Sequence, residues 1–229
     1  MMKNKINKIV CINSFNDLHN IAMTYSKSGT VFRGHKKSEY QLIPKIARYK
    51  KFQKIETLLK EEKYMLNLFK RYSIPYLDYK PKNDFEWLAS AQHHGLPTRL
   101  LDWTRNPLVA AFFAVEENHD GDSSFYIYTN SSHLKINDEL NPLNLKKSVI
   151  KYIPDHFNDR IVAQSGLFTI HKNPLEEFND KNLKKIIISN ACRKDLKKTL
   201  YRYGIHRGSL FPGLDGLSKH IEYLRTEVF

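Results

Sequence analysis

The chain has 229 residues, 41% of them apolar, which suits one domain with a sizeable buried core better than several small ones. No apolar run approaches the roughly 20 residues a membrane span needs, and Cys11 and Cys192 show no repeated spacing, so neither a spanning helix nor a disulfide framework is expected. The formal net charge of +13 attracts polyanions through counterion release, making nucleic acid the expected partner class, against the plainer reading of a solvated lysine-rich surface set by genome composition.

No secretory leader is read and lysine is abundant, so both cysteines are expected as free thiols in a reducing, cytoplasmic compartment. Along the chain, Ser14 with Asp17 three residues later opens a short amphipathic helix whose Phe15, Leu18, Ile21, Ala22 and Tyr25 share one face. Thr30–Gly34 reads as a strand ending at glycine, and Tyr40–Ile43 as a second extended piece stopped by Pro44. Glu56–Tyr72 carries Leu58, Leu59, Met65, Leu66, Phe69 and Tyr72 at helical spacing and is the clearest long helix. Asp84 is the expected N-cap of a helix that Gly95 and Pro97 end. Leu96–Arg105 reads as a connecting segment, leading to Asn106 as N-cap and Pro107 as first residue of a buried helix through Val115.

Further strands are expected at Ser124–Thr129, within Arg160–Ile170 where Gly166 reads as a bulge or as room for a ligand, and at Lys185–Ser189. Two helices follow, around Leu196–Tyr203 and Leu217–Leu224, separated by a Gly-rich turn over Gly208–Gly216; Asn130–Asn158 is the least regular stretch. The expected class is α+β, a single domain with N-terminal helices and a mixed or antiparallel sheet.

The densest signal is the run from Ala91 to Ala114, containing Gln92-His93-His94-Gly95-Leu96-Pro97-Thr98-Arg99-Leu100-Leu101-Asp102-Trp103-Thr104. With Phe32-Arg33-Gly34 upstream it resembles the FRG domain, a bacterial family recurring in prophage and defence-like contexts. The resemblance continues in Ile43–Arg48, Arg160–Thr169 and Leu210–Leu217.

An aromatic-Arg-Gly strand followed by a Thr/Asp/Trp segment is also similar to the layout of arginine-type ADP-ribosyltransferases, and this implies an ADP-ribosyltransferase-like fold. It implies NAD as substrate, with Arg33 and Gly34 at the phosphates, Thr98, Arg99 and Thr104 bracing the pocket, and Gln164 near the place of a catalytic glutamate. Ala163-Gln164-Ser165-Gly166 carries no acid, so Gln164 bonds a ribose without charge, or Asp102 supplies the carboxylate, or the chain is not a transferase. His94, just before Gly95, is a candidate for proton transfer. The resemblance also implies a toxin or phage-defence role with an antitoxin or partner protein.

Arg33 has an alternative as a structural partner of Asp102, and Trp103 is expected in the core. No metal site is expected, since the histidines and Cys192 are only distantly spaced; a nuclease built on Asp102, Glu86 and a histidine lacks the usual cluster of carboxylates. A non-catalytic nucleotide- or nucleic-acid-binding module is the competing function.

Overall fold

The computed structural model describes residues 11–25, 27–130, 132–133, 141–155 and 159–228, which form one α+β domain. In chain order the elements are β1 (Cys11–Ile12), α1 (Phe15–Thr24), β2 (Thr30–His35), α2 (Ile55–Tyr72), α3 (Asp84–His93), β3 (Leu100–Thr104), α4 (Pro107–Val115) and β4 (Ser123–Thr129). Then follow β5 (Val149–Tyr152), α5 (Asp159–Ala163), β6 (Gly166–His171), β7 (Leu183–Ile188), α6 (Arg193–Arg202), α7 (Arg207–Leu210) and α8 (Leu214–Tyr223).

The strands form one mixed sheet in the order β1-β7-β4-β2-β3-β6-β5. Among the described residues only β1 and β7 pair in parallel; the other ladders are antiparallel. Phe32 stands opposite Thr104, so Phe32 and Gly34 share a sheet face with Leu100, Asp102 and Thr104. On that face one apolar cluster joins Phe32, Phe125 and Ile186 to α1, α4 and α6, and a second joins Leu100, Phe168 and Ile170 to α2 and α3. The opposite face buries Val31, Leu101, Trp103, Tyr126 and Leu167, and the Trp103 indole Nε1 donates to Thr169 Oγ1 at 2.9 Å. Trp103 is thus a core anchor, as expected.

Local chemistry explains several boundaries. Ser14 Oγ accepts from the Asp17 amide and caps α1, and Asn106 Oδ1 accepts from the Leu108 amide with Pro107 following. At α3 the cap is Asn83 rather than Asp84; its Oδ1 accepts from the Phe85 and Glu86 amides. The supposed connector Leu96–Arg105 contains β3, which pairs with β6 over its whole length. Tyr40–Ile43, expected as an extended piece, forms no strand and bends at Leu42, whose amide donates to Glu177 Oε1 and whose carbonyl accepts from the Phe178 amide.

Arg160–Ile170 divides into helix and strand, and the left-handed turn between them falls on Ser165, with φ of 48°, while Gly166 pairs in register with Thr104. That register leaves no bulge at the glycine. The irregular stretch Asn130–Asn158 lies partly outside the described residues but contains β5, and the Gly-rich turn contains α7. Cys11 and Cys192 are free thiols; burial pushes the Cys192 pKa up to about 11. Among the described residues no helix is long and apolar enough to cross a membrane.

Candidate nucleotide cleft

β2 and β3 are joined at a single residue pair, Phe32 with Thr104. Past that bridge they part: β2 stays with β4 as far as His35 opposite Ser124, and β3 stays with β6 as far as Leu100 opposite Ile170. The gap opens a cleft of about 430 Å³ with Gly34, Asp102 and Thr104 in its lining, a volume suited to a small-molecule ligand.

Parting two strands leaves backbone groups without ladder partners, and such groups must be answered. Arg33 does this. Its Nη1 donates to the Asp102 carbonyl at 2.5 Å and lies 3.4 Å from Asp102 Oδ2, while Nε donates to His35 Nε2 at 3.0 Å. Nη2 has no hydrogen-bond partner among the described residues, and Arg33 is part of the cleft lining. His35 sits two residues from Arg33 on the same side of the strand; burial first, then the Arg33 and Arg48 charges, lower its pKa to about 2. It is neutral at pH 7, and accepting from Arg33 at Nε2 puts its proton on Nδ1.

Asp102 is held from the other wall. Gln92 Nε2 donates to Asp102 Oδ2 at 3.1 Å and to the Leu100 carbonyl at 3.3 Å, and Gln92 Oε1 accepts from Thr98 Oγ1 at 2.6 Å. Thr98 also accepts from the Leu100 amide. Both side-chain contacts on Asp102 are to Oδ2, so Oδ1 has no partner among the described residues, and the side chain is 59% exposed. The arrangement presents one oriented carboxylate to the cleft.

The charged residues of the lining are mostly basic: Lys36, Lys45, Arg48 and Arg160 join Arg33, against Asp102 and Glu117. Glu117 pairs with Lys36 at 2.9 Å, and Lys45 Nζ donates to the Gly95 carbonyl. Burial and the Arg33 charge lower the Arg48 pKa, Asp102 and Tyr40 opposing. Two guanidinium groups, Arg33 and Arg48, are therefore held close enough to repel, an arrangement that an anionic ligand relieves.

Of the residues singled out from sequence, Arg33, Gly34, Asp102, Thr104 and Gln164 line this one cleft, although they come from three chain segments. Gly34 has a structural use beside its place in the lining. A Cβ there would stand 2.0 Å from the Ala110 carbonyl oxygen, so the glycine lets α4 sit on β2. Thr104 Oγ1 donates to the Gln164 carbonyl at 2.6 Å, and Gln164 Nε2 donates to the Leu210 carbonyl at 2.9 Å. Thr98 stands behind the lining, buried, and acts through Gln92.

Arg99 and His94 lie elsewhere. Arg99 is fully buried and pairs with buried Glu62, Nη2 to Oε2 at 2.6 Å and Nε to Oε2 at 2.8 Å, so its brace is to α2 and not to a cofactor. His94 faces the α2 side, 6.3 Å from the Phe69 ring. Its neighbour His93 is half-buried and outside the cleft lining; burial first, then the Arg160 and His94 charges, lower its pKa to about 4, with Asp102 opposing. Glu86 is buried and accepts from Tyr79, Lys82 and Asn83, and no three His, Cys, Asp or Glu side chains among the described residues group as metal ligands.

The FRG domain family matches residues 28–123. The chain carries an FRG domain. No curated protein and no solved structure matches the chain. The matched FRG segment spans β2 to the first residue of β4 and so contains both strands that part, the Arg33–His35–Asp102 contacts and the Thr98–Gln92 relay. Arg160 and Gln164 come from beyond it. The FRG tripeptide itself divides its labour: Phe32 in the core, Arg33 in the gap, Gly34 under α4. Sequence reasoning missed His35, Arg48, Gln92 and Arg160. His35 was recoverable from the two-residue period of a strand, and Arg48, Gln92 and Arg160 lie inside the motif segments that carry the resemblance.

Proposed function

We propose that the cleft between β2 and β3 binds NAD and that the FRG domain transfers its ADP-ribose to an acceptor, with nucleic acid the favoured class because of the +13 charge. The observation that carries the reading is the meeting of a partly unanswered guanidinium, Arg33, and an oriented carboxylate, Asp102, in one otherwise basic concavity. Arg33 and Arg48 suit a diphosphate, whose oxygens accept from guanidinium groups in parallel pairs. Asp102 suits the sugar end. The bond from ribose C1′ to the nicotinamide nitrogen breaks, its electron pair leaves with neutral nicotinamide, and the cationic C1′ is stabilised by the carboxylate. The acceptor's oxygen or nitrogen then bonds to C1′ and its proton passes to Asp102.

Gln164 offers no charge, which puts the whole electrostatic task on Asp102. Asp102→Asn keeps the shape and the Gln92 contact but removes the charge, and should slow transfer by about two to three orders of magnitude while NAD still binds. The test is purified protein with labelled NAD and cell extract, followed by nuclease and protease treatment to identify the labelled product. Label in neither nucleic acid nor protein would contradict the transferase reading.

A second reading, a nucleotide-binding module without catalysis, is favoured by the commitment of the Gln164 amide to the Leu210 carbonyl. It shares the prediction of NAD binding and differs in predicting no labelled product.

A further inference from the structure

A second feature stands apart from the cleft, on the far side of the C-terminal end of α3. There α2 and the segment after it leave an open groove of about 470 Å³ whose walls are almost wholly apolar, built from Leu68, Phe69, Leu77 and the ring of His94, with Tyr72 and Tyr76 at its lip. Tyr72 is 65% and Tyr76 85% exposed, a large aromatic area to leave in water. Tyr64, itself exposed, lies on the same α2 row as Leu68 and Tyr72 at steps of four residues.

Charge decides what such a surface suits. Between Lys70 and Lys82 the sequence carries Lys70, Arg71, Lys80 and Lys82 against a single acid, Asp78. Lys70 is answered by Asp84 at 2.5 Å, but Arg71, Lys80 and Lys82 are exposed, and the Arg71 guanidinium lies 6.0 Å from the Tyr72 ring centre. A purely apolar partner segment would fill the groove and leave these cations, which flank its residues in sequence, unanswered. A single-stranded nucleic acid answers both, stacking unpaired bases on tyrosine and setting phosphates on the cations; a duplex keeps its base faces hidden.

We propose that the Tyr72–Tyr76 groove is a binding platform for single-stranded nucleic acid. It shares with the transferase reading only the expectation of a nucleic-acid partner, and the binding itself needs no chemistry in the cleft. The groove and the cleft share no lining residue: His94 belongs to the groove, and Gln92, two residues earlier, to the cleft.

The test is fluorescence anisotropy with labelled single-stranded DNA and RNA oligomers and a matched duplex, on the full chain, on the Tyr72→Ala/Tyr76→Ala double variant and on Tyr72→Phe/Tyr76→Phe. Both tyrosines are exposed, so the variants should melt as the parent does. Loss of two stacked bases should weaken single-strand binding about 10-fold or more, leave duplex binding unchanged, and be reversed by phenylalanine. Unchanged single-strand affinity in the alanine variant, or an equal fall for duplex, would overturn the proposal. NAD titration of the same variant should match the parent, so failure here and failure of the cleft reading register in different measurements.

Discussion

Arg33 and Arg99 stand on the two sides of the gap in the sheet, and both belong to the segments that mark the FRG domain, yet their surroundings are opposite. Arg99 is sealed from solvent against Glu62, with a further contact to the Pro142 carbonyl. Arg33 gives one nitrogen to a carbonyl that the parted strands abandon, one to His35, and leaves Nη2 without a partner among the described residues, in a residue that lines the cleft. A motif arginine is therefore no sign of a ligand site in itself. What distinguishes the two is how completely each cation is answered by the fold.

That comparison breaks most sharply on stability. Arg99→Ala strands the Glu62 carboxylate in the core and should cost about 3–5 kcal/mol in urea unfolding, whereas Glu62→Leu with Arg99→Met should cost less, since it strands no charge and leaves only the Arg99 amide and the Pro142 carbonyl without partners. A loss under about 1 kcal/mol for Arg99→Ala would mean that the pair is not the brace described. Next in size is Gly34→Ala, which drives a methyl group into the Ala110 carbonyl and should cost about 1–3 kcal/mol through a displaced α4, read as a lowered Tm.

The cleft and the core histidines then predict a pH effect. His35 and His171 are buried, and burial, with neighbouring arginines, lowers their pKa values to about 2 and about 3 from 6.5. A lowered folded pKa means that the unfolded chain binds more protons, so stability is full above pH 6.5 and is lost as pH falls toward the folded values. Each should cost up to about 2 kcal/mol by pH 5. A urea midpoint flat between pH 7 and pH 5 would contradict the buried, neutral state of both rings. Arg33→Ala stands at the small end, at about 1 kcal/mol or less, because the groups it abandons face the cleft and can take water.

Much of the frame was legible in the sequence because its signals are local. Ser14, Asn106 and Pro107 cap helices through their own neighbours, and α2 shows its apolar stripe without help from the rest of the chain. β3 was hidden because Leu100–Thr104 is short, lies between Pro97 and Pro107, and becomes a strand only by pairing with β6, some 60 residues on. α5 is too short to show a period. His93 and His94 posed a choice that sequence cannot make: adjacent helical residues diverge by about 100°, and the packing of α3 puts His94 in the apolar groove and neither ring in the cleft lining. The site was half legible. The convergence of Arg33, Asp102 and Gln164 followed from the resemblance, but the reason for the cleft, two central strands joined at one residue pair, exists only in three dimensions.

In the transferase reading Arg33 meets the ligand and Arg99 does not, and calorimetric titration with NAD separates the two roles. The parent should bind NAD saturably, folded Arg33→Ala should not, and the Glu62→Leu/Arg99→Met protein should bind as the parent does. No heat of binding at millimolar NAD, or equal affinity in folded Arg33→Ala, would contradict the account.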